Sequence, residues 1–223
     1  MSPARSDALA MADPDLEISL REGLAALGDA PNATQLEQLV HYLRLLAKWT
    51  QAFNLTAVRN PEDMVVRHVL DSVAVRPCLH GGSILDVGTG AGLPGIPLAV
   101  LAPEQRFVLL DSVGKKIRFL RHVLGELALA NCEVVQSRVE AHVPAGLYDT
   151  VVCRAFASVG EFVAQCGRLA GPGGRLVAMK GRDPERELIG LPPGWHARCM
   201  PLQVPGLDEQ RHAVVIERNA EAE

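Results

Sequence analysis

The sequence predicts an α/β fold built on a seven-stranded, mostly parallel sheet, and three observations support this prediction. From Ser83 onward, short apolar runs of strand length alternate with segments of helix length. A glycine-rich stretch follows the first run, at the position where doubly wound sheets bind a ligand. The last two apolar runs are joined by only a few residues, so they must be antiparallel, because a parallel crossover needs about a dozen residues or more.

The part of the chain before the sheet is predicted to be helical. Residues 1–14 lack periodicity and are expected to form a disordered tail. A short helix is expected over 16–27, and a stronger one from about residue 34 to Ala52. The stronger helix carries an apolar stripe at helical spacing, formed by Leu36, Leu39, Val40, Leu43 and Leu46. We therefore expect a helical segment over 15–80 that packs on a main domain over 81–223, within one globular unit.

A third helix is predicted to begin at Pro61, since proline favours the first helical turn. It contains Arg67 and Asp71 at a spacing of four residues, which predicts a simple ion pair on the helix surface. His68 lies beside them and has no second histidine or carboxylate at the spacing of a metal site. A structural histidine is therefore the preferred interpretation, and no metal site is predicted.

The main domain is predicted to contain the regular alternation of a parallel sheet with helices on both faces. Strands are expected at 83–87, 106–111, 132–136, 149–153 and 173–180. Helices are expected at 94–102, 113–130 and 158–170. The antiparallel hairpin at the end is expected to use 196–204 and 211–217.

Composition limits the classes of function that this chain can have. A chain of 223 residues with 48% hydrophobic and 22% charged residues can bury a sizeable core. Its net charge of −4 argues against indiscriminate nucleic-acid binding but leaves room for a local basic patch. Five cysteines without a C-x-x-C pair indicate thiols in a reducing compartment. No signal peptide or membrane span is visible, so we expect a cytoplasmic protein that does not enter a membrane.

The glycine-rich stretch can be aligned with two different motifs. Gly90, Gly92 and Gly95 fit the G-x-G-x-x-G fingerprint of dinucleotide-binding loops, which is weak evidence on its own. The series Asp86-x-Gly88-x-Gly90-x-Gly92 instead resembles the first motif of S-adenosylmethionine (SAM)-dependent methyltransferases. In those enzymes the acid shapes the loop and faces the amino-acid end of the cofactor. An ordinary glycine turn is the remaining interpretation.

A second acid, Asp111, ends the next apolar run about 20 residues further on. This is the interval at which such folds place a carboxylate on the hydroxyl groups of a ribose. Asp111 would otherwise be a simple helix cap. The run Ser137-Arg138-Val139-Glu140 follows the third strand and is suited to forming the wall of an adenine pocket.

Basic and aromatic residues follow the later strands at the same edge of the predicted sheet. Arg154 ends the fourth strand, where the reacting group is expected to enter. Phe156 is a candidate for stacking on a base, although packing in the core is its more usual role. The candidates for contacts with RNA phosphates are Lys115, Lys116, Arg138, Lys180 and Arg182.

Several runs together resemble one family, the bacterial small-subunit rRNA guanine methyltransferases (RsmG, also called glucose-inhibited division protein B). The resemblance extends over roughly residues 35 to 217. Its motifs occur in the family's order: Asn54-Leu55-Thr56, Arg67-His68-Val69-Leu70-Asp71-Ser72, Asp86 to Pro97, Leu110-Asp111-Ser112, Ser137-Arg138-Val139-Glu140, Arg154-Ala155-Phe156-Ala157 and Leu202-Gln203-Val204-Pro205.

This resemblance implies the class I SAM-dependent methyltransferase fold and a monomeric cytoplasmic enzyme. It also implies methylation of nitrogen 7 of one guanosine in a decoding-region loop of 16S rRNA. Residues implied to contact SAM or to border its pocket are Gly88, Leu93, Val139, Glu140 and Arg154. The motif reading adds Asp86, Gly90 and Asp111 to these cofactor candidates.

The chemistry of the implied reaction agrees with the residue types available. Nitrogen 7 of guanine has a lone pair and no proton to remove, so a general base is unnecessary. Positioning should supply most of the rate acceleration. Arg154 is the catalytic candidate, in a positioning role: a bidentate contact with the guanine edge would cover nitrogen 7, so we expect it to orient SAM or a phosphate.

Three other functions remain open at this point. An NAD(P)-dependent oxidoreductase would use the same glycine loop and need a catalytic dyad, yet neither Tyr42 nor Tyr148 lies beside a lysine. A non-enzymatic RNA-associated protein would have lost the pocket, whereas Asp86, the glycines and Asp111 are all present. A small-molecule methyltransferase would share the cofactor site and differ only in the acceptor.

Overall fold

The computed structural model describes residues 13–154, 156, 158–181 and 184–219. Arg182, one of the predicted RNA contacts, lies outside the described residues, as do the first twelve residues of the predicted tail. The helix predicted over 16–27 begins earlier, since α1 extends over Asp13–Ala26.

The second helix, α2 (Ala33–Phe53), begins and ends at recognisable capping residues. The Asn32 side chain accepts a hydrogen bond from the Gln35 N–H, and the Gln35 side chain accepts one from the Asn32 N–H. The helix ends at Asn54, which has a left-handed backbone conformation. The predicted apolar stripe of α2 is buried and shares a core with Ile96 and Phe119 of the main domain.

The third predicted helix is interrupted by a π-helical segment. It consists of α3 (Pro61–Met64), the π-helical segment Val65–Leu70 and α4 (Asp71–Val73). The predicted ion pair between Arg67 and Asp71 is wrong. Arg67 binds Glu209 instead, and Asp71 is only 4% exposed and binds two other arginines. Single π-helical turns inside α-helices are frequent at functional sites.

Seven strands form one sheet, which confirms the predicted fold class. The strands are β1 (Ser83–Val87), β2 (Arg106–Asp111), β3 (Cys132–Gln136), β4 (Tyr148–Arg154), β5 (Ala170–Lys180), β6 (Trp195–Leu202) and β7 (Arg211–Arg218). Their order is β3-β2-β1-β4-β5-β7-β6. The first five strands are parallel, and β7 is antiparallel to both β5 and β6, as the short linker predicted.

Helices cover both faces of the sheet, so the central strands are apolar on both sides. They are α5 (Gly95–Leu101), α6 (Gly114–Glu126), α7 (Val159–Cys166) and α8 (Glu185–Leu188), of which α8 was not predicted. In β2, Val108 packs in the same cluster as Phe162 of α7, whereas Leu109 packs with Phe119 of α6 and with the N-terminal helices. The strand order reverses between β1 and β4, which creates a crevice at their carboxyl ends.

Candidate functional site

The glycine loop after β1 is organised by the buried carboxylate of Asp86. Its Oδ2 accepts hydrogen bonds from the Thr89 hydroxyl at 2.6 Å and from the Gly95 N–H at 2.8 Å. Asp86 is 0% exposed, and burial raises its pKa to about 6 against the opposing effect of these bonds and of Arg154. A side chain at Gly95 would collide with Leu109, so only glycine allows this close approach. Asp86 Oδ1 has no partner among the described residues.

The end of β2 holds the same loop from the other side. The Leu110 carbonyl accepts hydrogen bonds from the N–H groups of Gly88 and Thr89, at 2.8 and 3.1 Å. Asp111 Oδ2 accepts one from the Gly90 N–H at 3.0 Å, and its Oδ1 accepts one from the Val113 N–H at 2.9 Å. Gly88 and Gly90 have φ values of +68° and +64°, which favour glycine.

These contacts bear directly on the kind of ligand that the loop can bind. Its N–H groups already donate within the protein at Gly88, Thr89, Gly90, Gly92, Leu93 and Gly95. A dinucleotide-binding loop instead presents its N–H groups to a pyrophosphate. The geometry therefore favours a cofactor without phosphate groups over NAD(P), even though the glycine spacing fits both.

A cavity of about 310 Å³ lies beside this loop, and we call it the first cavity. Of the predicted site residues, the following line it: Gly88, Asp111, Lys116, Arg138, Val139 and Glu140. A Cβ atom placed on Gly88 would meet no protein atom within 4 Å, so a glycine at this position leaves space for a ligand. The first cavity is lined by carboxylates, by apolar side chains and by the exposed backbone of a glycine. A nucleoside, with its hydroxyl groups and its flat apolar base, could bind to such a lining.

Phe156 also lines the first cavity and packs on the buried ring of Phe162, with 5.1 Å between the ring centroids. Its carbonyl accepts a hydrogen bond from Lys180 Nζ at 3.1 Å. Phe156 therefore combines a core contact with a place in the cavity wall.

A second cavity of about 400 Å³ lies between the π-helical segment and the ends of β4, β5 and β7. Asp71 stands in its wall and links two arginines from different strands. Its Oδ2 is 3.4 Å from Arg154 Nη1, and its Oδ1 accepts a hydrogen bond from Arg211 Nε at 3.1 Å. Burial raises the pKa of Asp71, and the two arginines oppose this effect. Arg154 also donates to the Arg67 carbonyl, at 3.3 Å.

His68 lies in the wall of the second cavity but is held as a neutral structural residue. Its Nδ1 lies 3.0 Å from the Arg67 carbonyl, which only accepts hydrogen bonds, so Nδ1 carries the proton. Its Nε2 then accepts from the Thr56 hydroxyl at 2.9 Å. Burial and the positive charge of Arg154 lower its pKa to about 4. The imidazole has no free nitrogen to act as a base.

The structure distributes the predicted RNA contacts over different places. Lys115 donates to the Phe53 carbonyl at the end of α2, and Lys116 Nζ lies 3.2 Å from Asp111 Oδ2 in the first cavity. Arg138 lines the first cavity as well. Lys180 lines the second cavity, but its side chain is only 11% exposed and is bound to Glu187.

Leu93, one of the residues implied to contact SAM, is buried in the core beneath the loop.

Several residues of the site were not predicted. Tyr42 of α2 is fully buried and donates from its hydroxyl to the Ala91 carbonyl in the glycine loop, at 2.9 Å. Gln165 lines the first cavity from α7, and Arg211 and Asp71 line the second. Tyr42, Gln165 and Arg211 lie outside the sequence motifs, whereas Asp71 was expected only as a surface partner of Arg67. For Tyr42 and Asp71, the only sequence signal would have been a polar residue at a position where the apolar pattern predicts burial.

Within the ranges given above, no helix is long and apolar enough to cross a membrane. Among the same residues, no group of three or more histidine, cysteine, aspartate or glutamate side chains gathers closely enough to bind a metal ion.

Comparison with solved structures places the fold among methyltransferases. TrmN from Thermus thermophilus is 19% identical and has a TM-score of 0.54, over 70% of this chain and 53% of that one. A SAM-dependent methyltransferase from Aquifex aeolicus is 18% identical and has a TM-score of 0.52, over 69% of this chain and 92% of that one. At these identities the likeness concerns the fold alone.

Comparison with known sequences identifies the family. The model of the family GidB, described as rRNA small subunit methyltransferase G, matches residues 35–214. Ribosomal RNA small subunit methyltransferase G of Escherichia coli O1:K1 / APEC is 51% identical over 186 residues, which are 83% of this chain and 90% of that protein. The protein of the same name from Shigella boydii serotype 18 matches to the same extent. The chain therefore belongs to the rRNA small subunit methyltransferase G (GidB) family.

Proposed function

We propose that this protein is a SAM-dependent methyltransferase that methylates nitrogen 7 of a single guanosine in a decoding-region loop of 16S rRNA. Family membership supports the reaction and the substrate. The observation that carries the choice of cofactor is the glycine loop, in which six N–H groups donate within the protein instead of pointing at a pyrophosphate. The proposal includes a monomeric enzyme that acts in the cytoplasm on the small ribosomal subunit.

The first cavity has the residues that a bound SAM would need. When bound, SAM supplies a methyl group on a positively charged sulfur, which is a strong electrophile. Asp111 is fixed by Gly90, Val113 and Lys116, and its Oδ1 keeps a lone pair for a ribose hydroxyl group. Val139 and Phe156 offer apolar walls for an adenine, and Glu140 lies at the same rim. Asp86 holds the loop in the shape that leaves this space open.

The second cavity has the residues that the acceptor base would need. Since nitrogen 7 carries no proton, the chain has only to bind the guanine, exclude water and orient the lone pair. Arg154 lies at the end of β4, beside the crevice, and its side chain is 30% exposed. Asp71 and the Arg67 carbonyl hold it in place. We assign it a positioning role, whereas His68 is neutral and structural.

The proposal is tested with methyl-labelled SAM and small ribosomal subunits from a strain that lacks this gene. We expect label in 16S rRNA, and mass spectrometry of digested nucleosides should identify 7-methylguanosine at one site. Naked rRNA, tested in parallel, shows whether the enzyme needs the assembled subunit. If the protein binds SAM but labels neither substrate, the rRNA assignment is wrong and a small-molecule acceptor has to be sought.

A further inference from the structure

One carboxylate at the mouth of the second cavity is held by two arginines. Arg67 Nη2 donates to Glu209 Oε1 at 2.9 Å, and Arg67 Nη1 donates to Glu209 Oε2 at 3.1 Å. Arg211 Nη2 donates to the same Oε2 at 3.0 Å. The side chains of Glu209 and Arg67 are 50% and 39% exposed, so this arrangement faces solvent.

The Arg211 side chain and the Arg67 backbone are held by contacts that do not involve Glu209. Arg211 is anchored by its Nε to the buried Asp71, and its side chain is 20% exposed. The backbone of Arg67 is fixed because its carbonyl accepts hydrogen bonds from His68 and Arg154. Glu209, in contrast, belongs to the linker between β6 and β7, outside any helix or strand.

The contacts of Glu209 with the two arginines are expected to contribute little to the stability of the fold. Exposed ion pairs usually contribute between about 0 and 1 kcal/mol, because water and salt screen them. Two guanidinium groups around one exposed anion, one of them anchored on the buried Asp71, instead form a binding position for any anion with paired oxygen atoms. A phosphate and a carboxylate both accept two parallel N–H bonds from arginine.

We propose that Arg67 and Arg211 form a phosphate-binding subsite for the rRNA backbone, and that Glu209 occupies the position of the phosphate in the RNA-free protein. This inference rests on the proposed function. Glu209 leaves when a phosphodiester binds, and the linker that carries it moves aside. The nucleotide at that phosphate then extends into the second cavity, whose volume of about 400 Å³ suits a base and sugar and whose wall contains Arg154.

The proposal makes opposite predictions for the two partners of one ion pair. If the pair is only structural, Arg67→Gln and Glu209→Gln break the same contact and change activity in the same direction. If Glu209 competes with phosphate, Arg67→Gln weakens RNA binding and Glu209→Gln strengthens it. A matched control is the exposed pair Arg106–Glu133, with 2.7 Å between Nη2 and Oε2, since Arg106 begins β2 at the amino end of the parallel strands, away from the second cavity.

The experiment measures the binding of small ribosomal subunits from a strain lacking the gene, at several salt concentrations, for the wild type and four single variants. The variants are Arg67→Gln, Glu209→Gln, Arg106→Gln and Glu133→Gln. The KM for subunits and kcat are measured alongside, and calorimetry gives the affinity for SAM. The salt dependence counts phosphate contacts, because each contact releases counterions from the RNA.

We expect Arg67→Gln to weaken subunit binding about tenfold and to reduce the salt slope by about one. Glu209→Gln should strengthen binding about threefold, beyond any effect of Glu133→Gln, and both should leave the SAM affinity unchanged. Changes of the same sign, or a Glu209→Gln effect no larger than that of Glu133→Gln, would overturn the subsite. If wild-type protein methylates neither subunits nor rRNA, the proposed function itself fails, which is a different result.

Discussion

The hydroxyl of Tyr42 donates a hydrogen bond to the carbonyl of Ala91 at 2.9 Å and thereby joins the N-terminal helical segment to the glycine loop. Tyr42 is fully buried, and burial raises the pKa of its phenol far above the usual value. The hydroxyl therefore stays protonated and always donates. Helix α2 is thus a support for the proposed cofactor loop, in addition to its place in the core.

The change Tyr42→Phe should weaken SAM binding by about tenfold, which corresponds to 1.4 kcal/mol. The Ala91 carbonyl loses its partner, and an unpaired buried carbonyl costs about 1–3 kcal/mol. Calorimetric titration with SAM measures the affinity, and urea unfolding measures the loss of stability. Tyr148→Phe is the control, because it removes a similar buried bond, between Tyr148 and His142. Tyr148 begins β4 and so lies at the end of this strand that is remote from the glycine loop. Equal SAM affinity in the two variants would contradict the support role.

The change Asp111→Asn should lower the affinity for SAM by about 10- to 100-fold. An amide offers one acceptor oxygen, so it cannot bind both Gly90 and Val113, and charged hydrogen bonds contribute about 1.5–3 kcal/mol each. Asp149→Asn is the matched control. Asp149 Oδ2 binds the N–H groups of Gly82 and Ser83 at the amino end of the sheet. These bonds all use one oxygen, which an amide can replace, so Asp149→Asn should lose little stability and keep the SAM affinity of the wild type. A comparable loss of affinity in Asp149→Asn would argue against a specific role for Asp111.

The change Arg154→Ala should reduce kcat about 100-fold, the size expected when a reacting group is misplaced by about 1 Å. Asp71 retains Arg211 as a partner, so the fold should persist. Methyl transfer to small subunits gives kcat, and calorimetry gives SAM affinity. Arg154→Lys keeps the charge without the planar guanidinium group, so its kcat should lie between those of the wild type and of Arg154→Ala. Unchanged turnover and unchanged SAM affinity in Arg154→Ala would show that Arg154 has no positioning role.

Acid should destabilise the protein through His68. Its pKa is about 4 in the folded chain, below the ordinary value of 6.5, so the unfolded chain binds more protons between these values. Stability from the neutral imidazole is therefore complete above about pH 6.5 and is lost as the pH falls towards 4. The loss amounts to about 3 kcal/mol, at 1.36 kcal/mol per pKa unit.

This pH effect is measured as the difference in unfolding free energy between wild type and His68→Gln from pH 7 to pH 4. The difference is needed because Asp86 acts in the opposite direction. Its pKa is raised to about 6, so its contribution to stability falls as the pH rises towards 6. The advantage of the wild type should shrink steadily below pH 6.5. A difference that stays constant across this range would show that His68 is not held in its neutral form.

The local pattern was sufficient for most of the fold. β1 and β2 lie where the apolar runs predicted them, and the hairpin follows from a linker too short for a crossover. The prediction of the third helix missed its π-helical segment. The residues there are all compatible with a helix, and helix propensity does not distinguish an α-turn from a π-turn. The π-helical segment carries Arg67, whose partner Glu209 is 142 residues away along the chain.

The sequence by itself determined the glycine loop, its two acids and the family, because these depend on residue types at short, fixed spacings. Only the tertiary structure decided which partners those residues have. Asp71 binds Arg154 and Arg211 rather than its helical neighbour Arg67, and Lys116 lies with Asp111 rather than with the other basic residues. The physical reason is that a charged side chain selects partners by burial and distance in space. Packing between remote segments sets both quantities, and no local pattern encodes them.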